Sequence, residues 1–150
     1  MDTSILQTVT TDFAAYLSEV TAGDLNQDLG NGTIGELYLR AIEQHRALTA
    51  VLGTDPSDAG DPAQLLAPDE HGGGYDRHYR RTAAELIAAL DRLEASAHVG
   101  ERTVGEVYAA VLVEVVARTG VLAAALGLPY QPDLRPRAVG SPPIPSAEWW

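Results

Sequence analysis

Two oppositely charged residues, Glu114 and Arg118, lie four positions apart in an otherwise apolar segment. In an α-helix such positions are neighbours, and glutamate before arginine is the favourable order. Charges within an apolar helix have to be paired, because an isolated charge is costly to remove from water. The pair therefore indicates either an internal ion pair that fixes the helix or the polar floor of a pocket between facing helices.

Further candidate residues lie on other predicted helices. His45 falls inside an apolar stripe, where an imidazole is either satisfied by a backbone or tyrosine partner or free to titrate. Arg40 lies at the edge of the same stripe, where it either extends over apolar neighbours or faces a pocket. Three tyrosines either pack with satisfied hydroxyls or line a shared cavity. They are Tyr38, Tyr79 and Tyr108.

Several kinds of chemistry are excluded by what the chain lacks. It has no cysteine, so it can form no disulfide, thiolate nucleophile or cysteine-based metal site. Nucleophile-elbow, phosphate-loop, dinucleotide and zinc-protease motifs are absent. His71 and His78 flank the glycines 72–74, but their spacing is not a recognised ligand pattern. We therefore expect no cofactor and no metal.

Charge and hydropathy predict where the protein works. The formal net charge of −11 argues against binding to nucleic acid or to an anionic membrane surface. The N-terminal residues do not resemble a secretory signal. The longest apolar run, 107–128, is interrupted by Glu114 and Arg118, which argues against a membrane span. These features predict a cytoplasmic protein.

Apolar periodicity predicts four helices, at 4–20, 33–52, about 77–93 and 103–126. Three hydroxyl residues followed three positions later by Gln or Glu predict capping boxes, namely Ser4–Gln7, Thr33–Glu36 and Thr103–Glu106. The last helix is apolar almost all round, so we expect it to be the most buried. No segment alternates with period two, so no sheet is expected.

Four such helices predict an all-α four-helix bundle. The connection 54–74 is long enough to recross the bundle, which favours up-down-down-up topology. We expect a bundle domain at 1–133 and a proline-rich extended tail at 134–150. The terminal pair Trp149 and Trp150 is either a disordered end or an apolar plug on the bundle or a neighbouring chain.

Two windows carry a family resemblance that spans residues 4–133 in helix order. Residues 32–48, GTIGELYLRAIEQHRAL, resemble the second helix of the DinB/YfiT-like superfamily, closest to the actinobacterial branch of mycothiol-dependent maleylpyruvate isomerase. Residues 114–130, EVVARTGVLAAALGLPY, resemble its fourth helix and exit. The resemblance implies that Arg40 and Arg118 occupy positions of two metal-binding histidines, and that Glu114 alone keeps a possible ligand identity.

These departures imply a metal-free bundle, because a protonated guanidinium has no lone pair for a cation. The cap tryptophan and nearby cysteine of the family are also missing, so chemistry on a metal-bound thiolate is not expected. If the helices pack as in the family, Arg40 and Arg118 surround Glu114 and leave about one surplus positive charge. Such a site would suit the carboxylate, enolate or phosphate of a small anionic ligand.

Three functional hypotheses follow. The first is a metal-independent isomerase, cyclase or lyase of a specialised bacterial pathway. In it Arg40, Arg118, Tyr38 and Tyr79 bind the substrate while Glu114, His45 and Tyr108 move protons. The second is a non-catalytic small-molecule binding or resistance protein. The third is a structural DinB homologue whose charged cluster replaces the metal, for which a homodimer is compatible with the sequence.

Overall fold

A computed structural model describes residues 1–58, 60–68 and 74–135 of the chain, and these residues are predominantly helical. This confirms the predicted all-α class. The helices are α1 (Ser4–Ser18), α2 (Ile34–Val51), α3 (Pro62–Leu66), α4 (Arg77–Asp91) and α5 (Val104–Ala125), and a 3₁₀ turn occupies Asp24–Asn26. The expected helices are present, with ends that differ by a few residues.

Two of the three predicted N-terminal caps are present. Thr103 and Glu106 form a complete capping box, in which the Thr103 hydroxyl accepts from the Glu106 amide at 3.1 Å and the Glu106 carboxylate accepts from the Thr103 amide. Before α2, the Thr33 hydroxyl accepts from the Glu36 amide at 3.2 Å. These contacts satisfy amide groups that would otherwise have no partner in the first turn.

The capping box predicted at Ser4 is wrong, because α1 begins one residue earlier than that box requires and Ser4 is its first helical residue. Thr3 is the N-cap residue, and its side chain accepts no capping hydrogen bond from the helix amides. Instead, the Gln7 side chain donates to the Thr3 hydroxyl at 3.1 Å, and the Ser4 amide donates to Asp2 at 2.9 Å. Asp2 therefore satisfies the amide of the first helical residue, while the Gln7 amide donates to the Thr3 carbonyl.

Replacement of the α5 cap tests this description of the helix start. We expect Thr103→Ala to lower the free energy of unfolding by about 1 kcal/mol, because the Glu106 amide loses its acceptor. Urea denaturation followed by circular dichroism measures the loss. A Thr103→Ser variant keeps the hydroxyl and serves as the control, and equal losses in the two variants would contradict the capping role.

The core lies where α1 packs against α4 and α5, and where α2 packs against α4. Its members come from the single apolar stripe of each helix, as the periodicity predicts. The largest side chains that are fully buried include Leu6, Phe13, Leu17, Ile34, Tyr38, Ile42, Tyr79, Leu86, Leu90 and Leu122.

Contacts at the helix ends give the directions of α1, α4 and α5. The N-terminal ammonium donates to the Leu93 carbonyl at 2.9 Å, and the Tyr75 amide donates to the Leu17 carbonyl at 3.0 Å, so α1 and α4 are antiparallel. The Tyr108 hydroxyl accepts from the Leu6 amide near the starts of α5 and α1. At the other end, Tyr16 donates to the carbonyl that follows α5, so these two helices are parallel.

The direction of α2 follows from its contacts with the flanks of α4. Near the start of both helices, the rings of Tyr38 and Tyr75 meet edge to face at 5.8 Å. Near the end of both, Arg92 donates to the Thr54 hydroxyl at 2.7 Å. Thus α2 and α4 run in one direction, while α1 and α5 run in the other.

Helix α5 is less buried than its composition suggested. Its side chains pack on one face only, and Val113 and Val121 remain 70% and 45% exposed. By length and hydropathy alone α5 could cross a membrane, with a mean hydropathy of 1.7 in its most apolar stretch. In this structure one face packs against α1 and the opposite face is left open, so the expectation that this is the most buried helix is wrong.

Two short elements were not expected from the sequence. Residues His98–Val99 and Arg102–Thr103 form a two-stranded antiparallel ladder, so the prediction of no sheet is wrong for this hairpin. Two-residue strands are too short to show alternation, but Gly100, with a φ of 64°, marks the tight turn. In the connection after α2, Asp61 and Gln64 form a capping box that starts α3.

Some features of the sequence analysis lie outside the described residues. They are His71, Gly72, Gly73 and the tail beyond Arg135, which includes Trp149 and Trp150.

Candidate functional site

A groove of about 330 Å³ lies between α2 and α5, the two helices on the open side of the helical assembly. Because these helices are antiparallel, the start of α2 meets the end of α5, where the Gln27 side chain donates to the Ala125 carbonyl at 3.1 Å. The walls combine charged, amide and apolar side chains. The lining residues are Leu29, Asn31, Gly32, Thr33, Glu36, Leu37, Arg40, Gln44, Glu114, Ala117, Arg118 and Val121.

Arg118 is the most enclosed charged group of this groove. Its side chain is 12% exposed, and its nearest anionic partner is Glu114, 57% exposed, at 3.8 Å between Nη2 and Oε2. That separation exceeds hydrogen-bond distance. Burial lowers the pKa of the Arg118 guanidinium and the Glu114 carboxylate opposes the shift, but an arginine stays charged at neutral pH. Within the described residues, this guanidinium has no hydrogen-bond acceptor.

Arg40 lines the same groove from α2. Its side chain is exposed, and it forms no ion pair with any residue in the described ranges. Its positive charge contributes to lowering the pKa of Arg118, so the two guanidinium groups are near enough to interact. The structure therefore brings together Arg40, Glu114 and Arg118, the three residues that the resemblance assigned to one site.

The groove is not positively charged overall. Glu36 also lines it, so two arginines face two glutamates and the formal charges cancel. The expected surplus of one positive charge is therefore wrong for the groove as a whole. Glu36 lies at the N-terminal end of α2, where the Thr33 hydroxyl donates to its carboxylate at 3.4 Å.

His45 and Tyr79 form a buried pair behind the groove. They are 3% and 1% exposed, and the His45 Nε2 lies 3.1 Å from the Tyr79 hydroxyl. Burial, with a smaller contribution from the charge of Arg118, lowers the pKa of His45 to about 4. Burial also raises the pKa of Tyr79. Both groups are thus neutral at pH 7, and neither lines the groove.

The roles expected of these two residues change accordingly. An imidazole that is enclosed and bonded to a tyrosine cannot reach a ligand in the groove, so proton transfer by His45 does not fit the geometry. Substrate binding by Tyr79 does not fit either, for the same reason. The alternative of a core imidazole satisfied by a tyrosine is what the structure contains.

The other two tyrosines lie elsewhere. Tyr38 is 1% exposed, its ring packs on Tyr75, and burial raises its pKa to about 12. Its hydroxyl has no hydrogen-bond partner among the described residues. The Tyr108 hydroxyl accepts from the Leu6 amide at 3.3 Å, at the start of α1. The cavity that the three tyrosines were expected to share is therefore not formed, and Tyr38 and Tyr108 do not reach the groove.

The sequence analysis did not propose the other groove residues, and three of these lie beside Arg40 on α2, namely Glu36, Leu37 and Gln44. They lie one turn on either side of Arg40, at spacings of three or four residues, and so share its helix face. This spacing was a usable signal. It went unused because Glu36 was considered only as a capping residue.

No group of three or more His, Asp or Glu side chains close enough to hold a metal ion occurs within residues 1–58, 60–68 and 74–135. No protein-family model, curated protein or solved structure matches this chain.

Proposed function

We propose that the chain is a metal-free, DinB-like four-helix bundle protein that binds a small organic anion in the groove between α2 and α5. The helix directions support this bundle, because α1 and α5 run opposite to α2 and α4, as up-down-down-up topology requires. Residues 52–76 provide the long connection between α2 and α4. The two arginines that replace the metal-binding histidines in the resemblance both line the groove.

The observation that carries the proposal is that the Arg118 side chain is largely buried and its guanidinium has no hydrogen-bond acceptor among the described residues. A guanidinium has five N–H donors, and a largely desolvated one is stabilised only when acceptors meet them. Glu114 lies at 3.8 Å, too far to hydrogen bond and too exposed to compensate for the burial. A ligand carboxylate could accept two parallel hydrogen bonds from this fork, with Arg40 nearby as a second positive group.

A catalytic role is the second candidate, and the position of Glu114 favours it. This carboxylate is 57% exposed within the same groove as Arg118. In that place it could move a proton on an anion held by the arginines, while they stabilise developing negative charge. Isomerisation, cyclisation or elimination would need nothing more than these groups. The non-catalytic alternative, a carrier or resistance protein, uses the same binding contacts.

Binding of a simple carboxylate tests the proposal. Calorimetric titration with 4-methylpentanoate is expected to show binding to the wild type. Arg118→Gln is expected to weaken this binding by about tenfold to a hundredfold, because a charge-assisted hydrogen-bonded pair is lost. Arg80→Gln is the matched control, since Arg80 forms an i,i+4 ion pair with Asp76 on α4, outside the groove.

Equal affinities of the wild type and Arg118→Gln, or no binding to either, would contradict the anion-binding proposal. Elemental analysis of the purified protein tests the metal-free part separately. We expect no stoichiometric transition metal, because the positions of the metal-binding histidines in the resemblance hold arginines. One zinc or nickel ion per chain would contradict it.

A further inference from the structure

The groove has a layered arrangement that follows from the antiparallel packing of α2 and α5. Arg40 and Arg118 interact across it and define one layer. Gln44 lies one turn after Arg40 on α2, and Glu114 lies one turn before Arg118 on α5. Because the two helices are antiparallel, Gln44 and Glu114 are at the same level and form the next layer. In the opposite direction, the lining combines the polar residues Asn31, Thr33 and Glu36 with apolar side chains. The apolar members there are Leu29, Leu37 and Val121.

The charged layers present a positive and a negative group side by side. The Arg118 guanidinium and the Glu114 carboxylate are 3.8 Å apart, close enough to interact but not hydrogen-bonded to each other. Each keeps hydrogen-bonding capacity for a third molecule. A ligand that carries a carboxylate and an ammonium on one carbon atom would satisfy both, with the carboxylate on Arg118 and the ammonium on Glu114.

The apolar side chains at this end of the groove favour an apolar group on the same ligand. Val121 is 45% exposed there, and Leu29 and Leu37 are only partly buried against the core. A hydrocarbon side chain placed on them would remove apolar surface from water. The volume of about 330 Å³ lies at the small end of ligand pockets, which range over about 300–1,000 Å³.

Net charge favours a ligand that is neutral as a whole. The chain carries a formal charge of −11, which disfavours a simple anion relative to a zwitterion over distances beyond direct contact. The groove itself balances two arginines with two glutamates. A zwitterion satisfies the local charges of the groove without opposing the field of the whole protein.

We propose that the ligand of this groove is a free α-amino acid with an apolar side chain, bound as a zwitterion. This inference rests on the proposed function, because it assigns the bound carboxylate to Arg118. The head group lies at the Arg118 and Glu114 layers, and the side chain points toward Leu37 and Val121.

The test compares L-leucine with three probes that each lack one feature. 4-Methylpentanoate lacks the ammonium, 3-methylbutylamine lacks the carboxylate, and glycine lacks the side chain. Calorimetry is expected to show that the wild type binds leucine at least about tenfold more tightly than each probe, as expected for one lost favourable contact.

Two variants assign the contacts. Glu114→Gln is expected to weaken leucine binding about tenfold while leaving 4-methylpentanoate binding unchanged or stronger, because only leucine carries the ammonium. Arg118→Gln is expected to weaken both carboxylates. Glu43→Gln is the matched control, because Glu43 is an exposed carboxylate on α2 outside the groove lining.

The outcomes separate this inference from the proposed function. Equal binding of leucine and 4-methylpentanoate, both dependent on Arg118, would overturn the amino-acid proposal and leave anion binding intact. Loss of leucine preference in Glu43→Gln but not in Glu114→Gln would also overturn it. No Arg118-dependent binding of either carboxylate would overturn both proposals.

Discussion

Truncation of Phe13 to alanine is expected to lower the free energy of unfolding by about 3–5 kcal/mol, the range for a fully buried aromatic residue. Phe13 is 1% exposed, and its ring meets the ring of Tyr79 edge to face at 4.6 Å, which joins α1 to α4. The variant removes this contact and leaves a cavity that the surrounding helices can only partly fill. Urea denaturation monitored by circular dichroism measures the change.

Thr11→Ala is the control for this prediction, because Thr11 is exposed on the same helix. It is expected to change the free energy of unfolding by less than about 0.5 kcal/mol. A loss below about 1 kcal/mol for Phe13→Ala would mean that α1 does not pack on Tyr79 as described, since truncation of a large core residue to alanine costs at least about 2 kcal/mol.

Acidification is expected to destabilise the protein through His45. Its pKa in the folded state is lowered to about 4 from an ordinary value of 6.5, so between these values the unfolded chain binds the additional proton. The contribution of this residue to stability is therefore fully present above about pH 6.5 and is lost as the pH falls toward 4. The total loss is about 3 kcal/mol, from a shift of between two and three pKa units.

Denaturation curves collected from pH 7 to pH 4 measure this dependence. His45→Gln removes the titrating group, so its stability should change less with pH over this interval than that of the wild type. His98→Gln is the control, because His98 is exposed and should keep the slope of the wild type. Identical slopes for the wild type and His45→Gln would contradict the buried, neutral imidazole.

Much of the helical arrangement was predictable from the sequence because each helix buries a single stripe. Apolar spacing identified the helices, and turn chemistry identified the starts of α2 and α5. The prediction failed for α5, whose apolar composition was taken as evidence that it is the most buried helix. Composition does not say how many neighbours a helix has, and Val113 and Val121 remain 70% and 45% exposed.

The candidate site was predicted in part. The charged spacing of Glu114 and Arg118, together with the resemblance at Arg40, identified three residues that share one groove. For His45 and the tyrosines the sequence left both a packing role and a site role open, because residue type alone does not distinguish a buried polar pair from a ligand contact. Their burial depends on rotation about each helix axis, which places Tyr79 against His45 and Phe13 and outside the groove lining.

The measurement that tests the account most directly follows the guanidinium of Arg118 by NMR. Its side-chain Nε–H resonance can be assigned by its loss in Arg118→Gln and then observed while 4-methylpentanoate or L-leucine is added. We expect a saturable shift of this resonance, with none on addition of the uncharged methyl ester of 4-methylpentanoate. If the carboxylates bind and the Arg118 signal stays in place, or if the ester shifts it equally, the groove does not recognise an anion through Arg118.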